Sequence, residues 1–281
     1  MVASAGTIIL SIQSQVVHGK VGNSAAAPAL QAHGLTAVAV PTTLLSNHPH
    51  YPTMRGRVLA PDLLADLLVG VEERGLVDAA TMLVTGYLGS VENGDVVADF
   101  VARAKRRNPA LRYVCDPVCG DDDLGGFVAP GLLTLFTRRL LPFADVATPN
   151  AWEACSLAGC DDPFDAARLF QAIGPAGIVI TGGNRGSGDL QTLVFDRQAV
   201  RRIRTPRLPV RPAGSGDLFT ACLLAKLARG WSLARAAEDA AAALHAVLLR
   251  TDPERWAEMP VEMCLDEIVT PSARFPSTPC V

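Results

Sequence analysis

Short apolar runs recur along the chain and alternate with longer amphipathic stretches, and this alternation restricts the fold more than any other feature. The runs are Thr7–Ser11, Thr36–Val40, Thr81–Thr85, Arg112–Cys115, Asp145–Ala147 and Gly177–Thr181. Centres such as Val38-Ala39-Val40 and Ile178-Val179-Ile180 are apolar throughout, the mark of strands buried on both faces. Amphipathic or Ala-rich stretches near 23–33, 61–74, 92–107, 150–158 and 163–173 read as helices. Such alternation predicts an α/β fold in three layers, α/β/α, with a mostly parallel central sheet and helices on both faces. After Thr181 the pattern changes. Gln191–Phe195 and Val200–Arg204 read as a hairpin, and long helices over 217–229 and 233–250 follow. No linker, repeat or low-complexity segment divides residues 1–281, so one domain is expected.

Charge is unevenly spread. Lys20 is the only formally charged side chain among the first 54, in a chain with 25 Lys+Arg and 28 Asp+Glu. A charge-poor start invites a membrane or export reading. Yet no basic residue precedes Thr7-Ile8-Ile9-Leu10, and Ser11, Gln13, Ser14 and Gln15 break that run at once. From Val21 to Met54, residues such as Gly22, Asn23, Pro28, Gln31, Pro41 and Asn47 leave nothing near the ~20 apolar residues of a bilayer span. A cytoplasmic protein without membrane contact is expected. The net charge of −3 and the lack of a basic stripe argue against nucleic acid. Arg103–Arg107 reads as the solvated end of a helix. The seven cysteines form no C-x-x-C pair, and Cys115 and Cys119 flank Asp116-Pro117 at a spacing that suits neither zinc nor a redox couple. Reduced thiols are expected.

In open α/β sheets, ligands gather at the C-terminal ends of the strands. Here those ends turn polar and glycine-rich: Ser11-Ile12-Gln13-Ser14, Thr42 through His48, Gly86 through Ser90, Asp116 through Asp121, Thr148-Pro149-Asn150, and Gly182-Gly183. They should border one crevice. Gly-Ser-Gly-Asp occurs twice. The copy Gly186–Asp189 precedes a strand and reads as a turn. The copy Gly214–Asp217 opens a strong helix that runs to Gly230, and so sets free backbone N–H groups where anions bind. Asp217 is then either a helix cap or a working carboxylate. No P-loop exists, since Gly19-Lys20 is followed by Val21. Asp116 ends a strand before a proline and should project into the crevice. Asn150 and Glu153 share one face of a helix start, as a capping box or as part of a phosphate and metal relay.

In combination these segments resemble the ribokinase-type superfamily of sugar and vitamin kinases, and within it the pyridoxal kinases. The match rests on Ser11–Ser14 with Val16 and Gly19, on Gly22-Asn23, Ser46-Asn47-His48 and Thr85–Ser90. It continues through Cys115-Asp116-Pro117-Val118, Thr148-Pro149-Asn150 with Glu153, and Gly214–Asp217, in family order from residue 8 to about 250. The resemblance implies transfer of the ATP γ-phosphate to the 5′-hydroxymethyl of pyridoxal, with pyridoxine and pyridoxamine as further acceptors. Asp217 would be the general base, and the N–H groups of Gly214, Ser215 and Gly216 an anion hole. Asp116 and Glu153 would act through Mg²⁺ or its waters, with Asn150 in support; a monovalent cation is left open. Thr148, Thr181 and the stretch Thr205-Pro206-Arg207-Leu208 would lie near the nucleotide. Ser14, Val21, Thr43 and Tyr87 would line the vitamin pocket, Tyr87 alternatively being a packing residue and His48 a structural one. A homodimer is implied as well.

Two departures stand on the vitamin side. The family usually has a threonine after Ser-Asn-His, where this chain has Pro49 and then His50; proline supplies neither hydroxyl nor N–H, and His50 is the candidate replacement. The lid, Asp121-Asp122-Asp123-Leu124-Gly125-Gly126, lacks the cysteine of some relatives, so no covalent capture of the aldehyde is expected there. The alternatives are a hydroxymethylpyrimidine (phosphate) kinase of the same superfamily, which should have a different, glycine-rich start, and a vitamin-binding relative with weak catalysis.

Overall fold

The computed structural model describes residues 6–183, 188–253 and 258–280. The first half contains β1 (Ile8–Val16), α1 (Asn23–Ala32), β2 (Thr36–Leu45), β3 (Gly56–Val58), α2 (Pro61–Glu73), α3 (Leu76–Ala79), β4 (Ala80–Thr85) and α4 (Val91–Arg107). Then follow β5 (Arg112–Cys115), the small hairpin β6 (Gly120–Asp121) and β7 (Gly125–Gly126), α5 (Pro130–Leu135), β8 (Val146–Ala147), α6 (Ala151–Ala158) and α7 (Pro163–Ile173). The chain continues through β9 (Gly177–Gly183), β10 (Asp189–Phe195), β11 (Val200–Pro206), α8 (Ser215–Leu227), α9 (Leu233–Leu249), α10 (Leu265–Val269) and β12 (Thr278–Pro279).

One sheet runs in the order β12-β11-β10-β9-β8-β5-β4-β1-β2-β3. From β9 across to β2 all neighbours are parallel. β3 is antiparallel to β2 at one edge, and β10, β11 and β12 add in antiparallel succession at the other. Two antiparallel steps bring β11 back to the direction of β9. Chain order reverses at β1, which lies between β2 and β4, and a ligand crevice is expected at such a switch point.

Each face of the sheet has its own apolar layer. Ile8, Leu10 and Ile12 of β1 pack with Leu64, Leu68, Phe100, Val101 and Phe170 on the side of α2, α4 and α7. Ile9, Met82 and Val84 pack with Ala26, Leu30, Leu218, Phe219 and Leu223 on the side of α1, α8 and α9. The three layers match the expectation. α8 is buried continuously from Leu218 to Leu227, as befits a helix apolar all round.

The basic run at 103–107 is the end of α4, and three of its four basic side chains are ion-paired: Arg103 with Glu72, Lys105 with Asp145 and Arg107 with Asp78. All seven cysteines are free thiols. Among the described residues no helix is long and apolar enough to cross a membrane. Of the first Gly-Ser-Gly-Asp copy, Gly186 and Ser187 lie outside the described residues; Asp189 opens β10.

β1 and β2 extend furthest beyond expectation. β1 runs on to Val16 and β2 to Leu45, so Gln13, Ser14, Thr42 and Thr43 belong to strands rather than to the loops after them. The physical reason is that the polar groups of Gln13 and Thr42 find partners inside the fold. The Gln13 amide donates to Ser11 Oγ at 2.8 Å, the Asn23 amide donates to the carbonyls of Gln13 and Val40 at 3.2 Å, and the Thr42 hydroxyl donates to Tyr87 O at 2.6 Å. The register slips once between Gln13 and Gln15 to absorb this.

Candidate active site

The start of α8 and the end of β1 meet. Gly214 stands at φ 81°, in the left-handed region, and a Cβ there would lie 1.7 Å from the Lys20 carbonyl oxygen. Gly22, at φ 53°, rests on Ser14, where a Cβ would lie 2.3 Å from both the backbone oxygen and Oγ. These two close approaches bring the Gly22 N–H to Asp217 Oδ2 at 2.8 Å. Ser11 Oγ donates to Asn23 Oδ1 at 2.7 Å and fixes the chain just beyond that contact. Ser14 thus lies against Gly22 and the Val21 backbone against Gly214, and Asp217 is half-buried. Its carboxyl is pushed up to about 6 by burial, against the pull of the Gly22 N–H. The first intrahelical bond of α8 is Leu218 N–H to Gly214 O at 3.0 Å. The N–H groups of Ser215 and Gly216 precede it and point out of the helix start.

Two more carboxylates converge on Asp217. Asp116, after β5, is 4% exposed, and Glu153, in α6, is buried to the same degree. Burial raises Asp116 well above the ordinary carboxylate range, and the charges of Glu153 and Asp217 raise it further, opposed by the hydroxyls of Thr220 and Thr148. Burial raises Glu153 too, while the N–H groups of Asn150, Cys119 and Gly120 hold it back. The capping reading of Asn150 and Glu153 is realised. Asn150 Oδ1 accepts from Glu153 N–H at 2.9 Å and Glu153 Oε2 accepts from Asn150 N–H at 2.8 Å. Glu153 Oε1 also accepts from Cys119 N–H at 3.0 Å, and the Asn150 amide donates to Gly120 O at 2.8 Å. Capping thus does not compete with a role in the crevice; it locks the carboxylate beside Asp116. Glu153 and Asp217 both raise Asp116, and Asp217 raises Glu153, a repulsion that a hard cation such as Mg²⁺ would relieve. Among the described residues no cluster of three or more His, Cys, Asp or Glu is arranged to hold a metal ion.

Thr148 is buried beside Asp116, and Thr181 N–H donates to Pro149 O at 3.0 Å, next to Asn150. The stretch Thr205–Leu208 belongs to the β10–β11 hairpin. There Thr205 pairs with Leu190, Pro206 with Asp189, and the Arg207 N–H donates to Gly188 O at 3.1 Å. Its β11 end emerges on the same sheet edge as Thr181.

On the vitamin side, Thr43 is fully buried and its Oγ1 has no hydrogen-bond partner. Gly89, at φ 84°, packs against Thr43 and Val58, which brings the Tyr87 turn over β2. Tyr87 is half-buried with its ring 6.3 Å from that of Phe127. His48 is buried and structural: its Nδ1 accepts the His50 N–H at 3.3 Å and its Nε2 lies 3.5 Å from Glu258 Oε1, which also accepts from the Tyr51 hydroxyl. Pro49 is exposed at the tip of this loop and His50 half-buried. Burial pushes the Cys115 thiol up to about 12 and raises Cys119 as well, so neither is a reactive thiol.

The residues that sequence reading missed are supports. Gly22 supplies an N–H, and so gives no side-chain signal. Thr220 was legible in principle, lying three residues past Asp217 on the same helix face.

A parallel sheet with an open helix start, a carboxylate at that start and two buried acids beside it defines a small-molecule kinase of the ribokinase-like class. Residues 22–257 match the family model described as phosphomethylpyrimidine kinase. The chain is 41% identical over 238 residues to a pyridoxine/pyridoxal/pyridoxamine kinase of Bordetella avium, covering 82% of this chain and 80% of that one. It is 36% identical over 280 residues to a pyridoxal kinase of Rubrobacter xylanophilus, covering 96% and 97%. The pyridoxal kinase of Leishmania donovani, solved with ADP and pyridoxamine, superposes with a TM-score of 0.90 at 28% identity, covering 98% of this chain and 100% of that one. The chain belongs to the phosphomethylpyrimidine kinase family and, within it, to the pyridoxal kinases.

Proposed function

We propose that residues 1–281 act as one kinase domain that transfers the ATP γ-phosphoryl group to the 5′-hydroxymethyl of pyridoxal, with pyridoxine and pyridoxamine as further acceptors. The product is pyridoxal 5′-phosphate, and the role is vitamin B6 salvage. The observation that carries this reading is the Asp217 carboxylate held by Gly22 N–H at 2.8 Å over an open helix start. Asp217 takes the proton of the attacking hydroxyl, a role worth typically ~10²–10⁴-fold. The N–H groups of Gly214, Ser215 and Gly216 receive the charge of the phosphoryl group in transfer. Asp116 and Glu153 would hold Mg²⁺, with Asn150 keeping Glu153 in place, and the ion would supply positive charge against the phosphates. Thr148, Thr181 and Thr205–Leu208 border the nucleotide. Ser14, Val21, Thr43 and Tyr87 border the pyridine ring, and the unpartnered Thr43 hydroxyl suits a polar ring substituent. His50 takes over from the threonine that Pro49 replaces.

The reducing cytoplasm is the compartment we infer, since it supplies ATP and suits seven free thiols. A homodimer is expected at micromolar concentration in sedimentation, and a monomer there contradicts it. Formation of pyridoxal 5′-phosphate from pyridoxal and MgATP tests the function as a whole. The family description favours one second reading, phosphorylation of hydroxymethylpyrimidine, which the same assay separates.

A further inference from the structure

We propose that Thr220 is a positioning residue that holds the Asp116 carboxylate in register with the helix carrying Asp217. Thr220 lies one turn beyond Asp217 in α8 and is 3% exposed. Its neighbours in the helix, Leu218, Phe219, Ala221 and Cys222, are all buried and apolar. A hydroxyl among them is costly unless it is bonded, and a valine would fill the same space. The hydroxyl is bonded at the crevice. Thr220 Oγ1 lies 3.0 Å from Asp116 Oδ2 and 3.1 Å from Thr148 Oγ1. Thr220 Oγ1 donates to Asp116 Oδ2, and the Thr148 hydroxyl stands within hydrogen-bond distance of the same Thr220 oxygen.

Asp116 follows β5 and Thr148 follows β8, so one side chain ties two adjacent strand ends to the helix that also presents the anion hole. The spacing between the metal-side acid and the phosphoryl-side N–H groups is thereby set by a bonded contact rather than by packing alone. This proposal rests on the reading of Asp116 as a holder of Mg²⁺-nucleotide. It makes Thr220 a determinant of metal-dependent nucleotide binding, separate from the vitamin side.

The test is calorimetric titration of the full chain with ADP, with and without Mg²⁺, and needs neither vitamin nor turnover. T220V should weaken ADP binding in the presence of Mg²⁺ on the order of tenfold, as removing a partner of a metal-holding carboxylate does, and leave metal-free binding within about twofold. T220S, which keeps the hydroxyl, should return the Mg²⁺-dependent affinity to within about twofold of wild type. T220A carries the same expectation as T220V should the latter not fold. Wild-type affinity in T220V, or T220S as weak as T220V, overturns the proposal. Wild-type binding indifferent to Mg²⁺ instead overturns the metal reading beneath it.

Discussion

The N–H of Gly22 donates to Asp217 Oδ2 at 2.8 Å, joining residues 195 apart in the chain. One bond thus ties the loop after β1 to the start of α8. It forms only because two glycines allow two backbones to touch, Gly22 on Ser14 and Gly214 on Lys20.

Substituting either glycine should therefore separate that loop from the helix start. In G214A the new methyl would meet the Lys20 oxygen at 1.7 Å, and in G22A the Ser14 oxygen at 2.3 Å. A left-handed backbone alone costs an alanine roughly 1–2 kcal/mol, and the overlaps add to that. Both variants should show a lowered unfolding midpoint and at least ~10-fold lower turnover, the scale of a misplaced reacting group. A Cβ at Gly216 meets nothing within 4 Å, so G216A should unfold at the wild-type temperature. Equal midpoints for all three in a thermal melt would contradict this.

Asp217→Asn should cut turnover at least ~10²-fold, the usual effect of losing a general base. Folding should survive, because the amide oxygen can still accept the Gly22 N–H. In the wild type, the Asp217 carboxyl lies raised to about 6 and must be ionised to take a proton. Hence kcat/KM for the vitamin should rise with pH through about 6, a limb that D217N lacks. Turnover near wild type in D217N would reduce Asp217 to a helix residue.

His33 makes one distinct contribution to stability in acid. It is 3% exposed, both ring nitrogens lack hydrogen-bond partners, and burial, then the charges of Lys226 and Arg229, lower it from 6.5 to about 4. The unfolded chain binds a proton at a higher pH than the folded one. Stability from neutral His33 is thus full above 6.5, declines as pH falls through that range, and has lost about 3 kcal/mol below 4. In urea unfolding, H33Q should lose less stability than wild type, or gain more, as pH falls from 7 to 4, on top of the opposing contribution of Asp116, Glu153 and Asp217 common to both. An unchanged slope in H33Q would assign acid lability elsewhere.

The sheet was legible because its strands are buried on both faces and apolar throughout, as in Ile178-Val179-Ile180. The strand ends were not. Gln13 and Thr42 look like loop residues until Ser11 and the Tyr87 carbonyl are known to partner them. The edge strands β3 and β12, three and two residues long, carry no periodicity to read. Within the site, the acids were visible as side chains in distinctive settings, Asp116 before proline and Asp217 after Gly-Ser-Gly. What holds them was hidden, because Gly22 and Cys119 act through backbone N–H groups that any residue possesses. The charge-poor first 54 residues supply β1, α1 and β2, whose buried contacts leave little room for charge.

The most direct measurement is absorbance-monitored conversion of pyridoxal by the full chain with MgATP, run beside hydroxymethylpyrimidine. The expected result is ATP-dependent formation of pyridoxal 5′-phosphate, at least ~10²-fold slower in D217N, with the pyrimidine alcohol unreacted. Phosphorylation of the pyrimidine alone, or no phosphate transfer to either, would contradict the assignment of Asp217 and the crevice around it to pyridoxal.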